Sequence, residues 1–261
     1  MVSGKKNYLS IALATVCLLF LFSFFQKFYN LSPFAHLAIS QAQSIPLQSH
    51  PLPVSLQQWQ DDKQQGDYFE LIETTSVGYF IWSQFPVKVY IERPEEIETR
   101  EESAADKRQQ QWVEAVKSAV TEWNVYLPLQ EVEQSELADI KVLNSSVDRE
   151  IQLNPNTGLY DIPQAITAQT SYKIYVRESS QNILAHGMII KISPDLSFIA
   201  TLAAARHELG HALGIWGHSD RSSDALYFSQ VRDTPQISPR DINTLKKIYQ
   251  QPTRLGWEID R

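Results

Sequence analysis

Between residues 207 and 218 the chain reads His207-Glu208-Leu209-Gly210-His211-Ala212-Leu213-Gly214-Ile215-Trp216-Gly217-His218, and no other stretch restricts the fold as much. Two imidazoles at i and i+4 reach one ion only from one face of a helix, so a helix is expected from about Phe198 to Gly214. Glu208 then lies beside the pair, near a metal position without ligating it. Gly214 tolerates a positive φ, so the helix can end sharply there and the chain can turn back to offer His218 as a third nitrogen. Three protein ligands leave a fourth position open for water, which separates a catalytic zinc site from a closed structural one. The competing reading is a surface helix with ordinary histidines. Against it, this stretch gathers three of the chain's six histidines, with the glycine in the required place.

Composition narrows the ligand chemistry. The single cysteine, Cys17, excludes an intrachain disulfide and any multi-cysteine metal site, so nitrogen and oxygen must bind whatever metal is held. A net charge of −7 lacks the electrostatic footprint of a nucleic-acid binder. A length of 261 residues with 43% hydrophobic content suits one globular domain with extensions.

The N-terminal extension reads as an export address. Lys5 and Lys6 precede an uncharged, almost wholly apolar run from Asn7 to Gln26. Its length falls between a signal-peptide apolar region and a membrane span. The nearest small-residue cleavage pattern, Ser40-Gln41-Ala42, lies far beyond Phe25, which favours an uncleaved anchor over a cleaved signal. The lysine pair keeps the N-terminus inside and sends the rest across. A buried core helix is the competing reading, but the run has no polar face. The chain is therefore expected to be exported, either membrane-anchored with its domain on the periplasmic or extracellular side, or secreted. The division expected is an address over residues 1–43, an extended Pro/Gln-rich tether over 44–67, and a domain over 68–261.

Within that domain, period-two alternation predicts strands at Val87–Ile91, Ala138–Leu143, Tyr172–Val176 and about Ile183–Ile192. Trp112, Val116, Ala119, Val120 and Trp123 recur at helical spacing, giving a helix from about Ser103 to Tyr126. A last helix should start with Ser238 as cap and Pro239 in the first turn. The class is α+β.

The motif and its surroundings resemble the matrixins of the metzincin clan. Phe85–Tyr90 is similar to that family's first strand, Trp112–Trp123 to its first helix, and Ser238–Ile242 to the start of its last helix. Ile183-Leu184-Ala185-His186 resembles the Leu-Ala-His of its cleft-edge strand. The resemblance implies a twisted mixed sheet over an active-site helix, with a C-terminal helix below. It implies a zinc endopeptidase acting on polypeptides through a metal-activated water, with one catalytic Zn²⁺ on His207, His211 and His218 and Glu208 as general base. Leu184 and Ala185 would pair with an extended substrate, and Tyr227 would wall a specificity pocket.

Three departures stand out. The third histidine comes one residue late, so Asp220 is the runner-up ligand. The family's methionine turn reads Ala225-Leu226-Tyr227, where leucine of similar volume should be tolerated at modest cost beneath the metal. Cys17 lies in the apolar segment, where it cannot serve the family's latency switch. His186 matches a ligand of the family's second, structural zinc, but no companion His-x-Asp lies upstream, so an edge-strand histidine without metal is expected. The late histidine and the missing methionine also motivate a second reading, a catalytically weak or inactive zinc-stabilised binding or scaffold protein of the same fold. Oligomeric state is not legible.

Overall fold

The computed structural model describes residues 45–93, 103–147, 152–153, 160–161, 166–178, 182–229 and 234–259. The apolar run from Asn7 to Gln26, with Cys17 and the membrane expectation attached to it, lies outside them. Among the described residues no helix is long and apolar enough to cross a membrane.

Alternation sets the first strand. In β1 (Val87–Ile91) Val87, Val89 and Ile91 are buried while Lys88 faces solvent. Helix α2 (Ala104–Asn124), which follows the short helix α1 (Val54–Gln58), starts where Ser103 and Asp106 form a reciprocal capping box. It buries Trp112, Val116, Ala119, Val120 and Trp123, the stripe that its spacing predicts. Strand β2 (Leu129–Val132) follows at once, its Leu129 amide donating to Asn124 Oδ1 at 2.7 Å. With two exposed residues in its four, β2 carries no alternation from which it could be read. Strand β3 (Ile140–Asn144) and a two-residue antiparallel pair, β4 (Gln152–Leu153) with β5 (Tyr160–Asp161), precede the two longest strands, β6 (Ala168–Arg177) and β7 (Ile183–Ile192).

The main sheet runs β2-β1-β3-β7-β6. Its first four strands are parallel, and β6 pairs antiparallel with β7 from Ala168–Ile192 to Arg177–Ile183. This order corrects one expectation: β7, which carries Leu184, Ala185 and His186, is an interior strand, and β6 forms the edge. Burial gives the reason. Leu184, Ala185, His186, Met188, Ile190 and Ile192 are all buried, whereas β6 keeps Ser171, Tyr172 and Lys173 exposed, and an edge tolerates polar side chains that an interior strand does not.

Helix α3 (Phe198–Ala212), capped by Ser197, packs on α2 and against β6 and β7. Arg206 of α3 holds Glu122 of α2 through two hydrogen bonds of 2.6 and 2.8 Å, and Trp123 Nε1 donates to the Arg206 carbonyl at 2.9 Å. Helix α4 (Pro239–Tyr249) starts as its residues predict, with a Ser238–Asp241 capping box and Pro239 in the first turn, and buries Ile242, Leu245, Ile248 and Tyr249.

Residues 45–67 are not an extended tether. Proline denies them sheet ladders, but not side-chain anchorage. Ile45 and Leu56 are buried, Gln48 and Thr253 exchange two backbone hydrogen bonds, and His50 stacks on Trp257 at 4.2 Å. Ser55 Oγ donates to the Tyr126 carbonyl at 2.6 Å and Trp59 Nε1 to Asn243 Oδ1 at 2.8 Å. The strap continues through Tyr68 to Trp82, whose apolar run is buried without joining a strand.

Candidate metal centre

Helix α3 gives way to a tight loop after Leu213. Gly214 has φ +127°, and a Cβ there would lie 2.5 Å from the Phe80 carbonyl oxygen, so only glycine fits. Two i to i+2 hydrogen bonds follow in succession, Trp216 N–H to Gly214 O at 2.8 Å and Gly217 N–H to Ile215 O at 3.1 Å. These bends take up the extra residue before His218. The strap fixes the loop from outside: Ile72 bridges Gly217, and the Glu73 amide donates to the Trp216 carbonyl at 2.9 Å.

The result is convergence of three imidazoles. One ligand nitrogen from each of His207, His211 and His218 lies within 4.8 Å of the others. His207 Nδ1 lies 2.8 Å from the Ala225 carbonyl oxygen and His211 Nδ1 2.7 Å from that of Ile215. A carbonyl only accepts, so each Nδ1 carries the proton and each Nε2 presents a lone pair. Those two Nε2 atoms face each other at 3.1 Å. Two lone pairs in that position repel unless a cation lies between them, and Zn–N bonds of about 2.0–2.1 Å suit such a separation. Burial, reinforced by the neighbouring imidazoles, holds the histidines at about 4, so they are neutral near pH 7, as metal ligation requires. The donor set fits zinc, with three imidazole nitrogens and, among the described residues, no thiolate. Asp220 is exposed and engaged elsewhere, accepting from Arg240 Nη2 at 3.1 Å.

Glu208 is buried, and that burial raises its carboxyl above the usual range against the opposing pull of His207 and of hydrogen bonds from Thr170. Thr170, on the edge strand, places its hydroxyl 2.6 Å from Glu208 Oε2 and 3.0 Å from the Glu208 carbonyl oxygen. No spacing signal pointed to this residue, which is 38 positions away in sequence.

Beneath the histidines, Leu226 is fully buried against α3. Its turn is held from below by Asp241, which accepts from the Ala225 amide at 2.9 Å, the Ser238 amide at 2.7 Å and the Tyr68 hydroxyl at 2.5 Å. The Ser219 amide donates to the Leu226 carbonyl at 2.8 Å, tying the histidine loop to the same turn. Tyr227 is half-buried and packs on the exposed Phe228, with ring centroids 4.5 Å apart.

The expectation that Leu184 and Ala185 would pair with substrate is corrected. The Leu184 amide donates to the Trp257 carbonyl at 3.0 Å, its carbonyl accepts from Gly256 at 2.7 Å, and Ala185 pairs with Tyr175 of β6. Neither is open to an added strand. Among the described residues β6 is an outermost strand of the sheet, and its Thr170 reaches Glu208. His186 is likewise interior, stacked on Trp82 at 3.9 Å, and its Nε2 has no hydrogen-bond partner among the described residues. Burial, with help from Arg177, lowers it to about 3.

A mixed sheet, an underlying helix bearing two histidines and a glycine-turned loop bearing a third define a metallopeptidase-type domain. The matrixin family model matches residues 97–250, well over half of the chain, and the chain belongs to the matrixin family. No curated protein matches it.

Proposed function

We propose that this matrixin is an active zinc endopeptidase. The observation that carries the reading is the pair of proton-free Nε2 atoms on His207 and His211, 3.1 Å apart, with the buried Glu208 carboxylate between their helix and the sheet edge. His207, His211 and His218 would hold the ion. Zinc bound there supplies a Lewis acid that polarises a carbonyl and acidifies water. The chain's own groups do the rest. An extended polypeptide adds along the outer strand β6, with main-chain hydrogen bonds setting its register. Glu208 takes the proton from the attacking water and returns it to the leaving amine, and its burial keeps its proton affinity high enough for both transfers. Tyr227 and Phe228 form an aromatic wall for a side chain of the substrate.

The test is cleavage of an unfolded protein with and without chelator, alongside zinc stoichiometry. Chelator-sensitive cleavage at one zinc per chain, abolished in Glu208→Gln with zinc retained, is expected. One bound zinc without cleavage would instead establish the scaffold reading.

The apolar run after Lys5 and Lys6 further supports placement on the outer side of a membrane, anchored or released by cleavage. Fractionation of cells expressing the full chain, with protease added from outside, tests this. A chain protected until lysis and found in the cytosol would refute it.

A further inference from the structure

The edge strand carries more than a surface for substrate. Thr170 lies in β6, backbone-paired to Ile190, and its hydroxyl is 2.6 Å from Glu208 Oε2. A free glutamate side chain samples several rotamers. Thr170 does not: it is β-branched, so its χ1 is restricted, and its backbone is fixed by the sheet. We propose that Thr170 is a positioning residue for Glu208: its hydroxyl binds Oε2, fixes the plane of the carboxylate and directs Oε1 toward the reacting water. This rests on the peptidase reading of the site and deepens it.

The 3.0 Å approach of the same hydroxyl to the Glu208 carbonyl does not compete, because one hydroxyl proton serves one acceptor, and the shorter contact is favoured. The contact also links recognition to chemistry. A peptide that adds to the outer edge of β6 bonds the same strand that holds the base.

Two variants separate this role from packing. Thr170→Val keeps volume and strand preference but lacks the hydroxyl, and Thr170→Ser restores the hydroxyl. With zinc-loaded full chain and an internally quenched peptide, Thr170→Val is expected to lose about tenfold or more in kcat, less than loss of the proton-transfer group itself would cost. KM and zinc affinity should stay within about twofold, and Thr170→Ser should recover most of kcat. A crystal structure of Thr170→Val should show the Glu208 carboxylate in a second rotamer. Unchanged kcat in Thr170→Val, equal losses in the Val and Ser variants, or an unmoved carboxylate would each overturn the assignment. If the parent cleaves, Glu208→Gln does not, and Thr170→Val matches the parent, only the Thr170 role falls. A zinc-loaded parent that cleaves nothing overturns both.

Discussion

Leu226 and Gly210 divide one space between them: a Cβ on Gly210 would lie 2.5 Å from Leu226 Cδ2, with the Trp123 ring at 3.1 Å behind it. The glycine in the middle of the helix that carries His207 and His211 is thus a packing requirement, set by the buried Leu226 and Trp123. Leu226→Met should cost less than about 1.5 kcal/mol, as volume-conserving swaps do. Leu226→Ala should cost about 2–5 kcal/mol, and Gly210→Ala about 1–3 kcal/mol through overpacking. Denaturant unfolding of the zinc-loaded proteins measures all three. A methionine variant as damaged as the alanine one would show that the turn is not simple apolar packing.

His218 and Asp220 are separated by their partners. His218 lies with the other two imidazoles, and Asp220 faces Arg240. His218→Ala should weaken zinc binding by at least about 100-fold, more than loss of an outer-shell partner. Asp220→Ala should stay within about twofold. Competition with a chromogenic chelator reads both affinities, and the reverse ranking would reassign the third ligand.

Tyr68 donates from the strap to the buried carboxylate of Asp241. Tyr68→Phe removes the donor and leaves the acceptor in place, so a loss of about 1–3 kcal/mol is expected in urea unfolding. A loss below about 0.5 kcal/mol would mean that the other donors to Asp241 suffice.

His186 gives the domain an acid sensitivity independent of the metal. Its folded value, about 3, lies below the ordinary 6.5, so the unfolded chain binds the proton first and stability falls as pH drops from 6.5 toward 3. At pH 5 that single group should account for roughly 2 kcal/mol of lost stability. His186→Leu, of similar volume, should remove that share, seen as a shallower decline in metal-free unfolding free energy between pH 7 and 5. Parallel declines in the two proteins would place the sensitivity elsewhere.

What the residues disclosed beforehand was local. The three long helices were readable from local signals: the Trp112–Trp123 stripe for α2, the His207/His211 spacing for α3, and Ser238 with Pro239 for α4. The metal site was legible because i, i+4 spacing and one glycine are local facts. Strand order was not, because the exchange of β7 for β6 at the edge depends on pairings between distant segments. Leu-Ala-His looked like an edge motif, but the structure buries Met188, Ile190 and Ile192 of the same strand in the interior of the sheet. The strap went unread for a similar reason. Prolines forbid ladders, but bonds such as Trp59 to Asn243, 184 residues apart, leave no trace in local pattern.

The meeting of the strap with the C-terminal segment has a kinetic consequence. His50 Nε2 lies 2.7 Å from the carbonyl oxygen of Leu255, 205 positions later, and Gln48 finds both its backbone partners on Thr253. Closing a loop of that length is an entropic barrier that must be crossed before its contacts repay it, and folds rich in such contacts are slow to form. A nascent chain therefore emerges with its strap unanchored and keeps it so until the segment around Thr253 leaves the ribosome. The loop bearing His218 depends on that strap through Ile72 and Gly217. Its final clamping is thus among the last events of folding, and the three-histidine site is complete only when synthesis of the domain is nearly done.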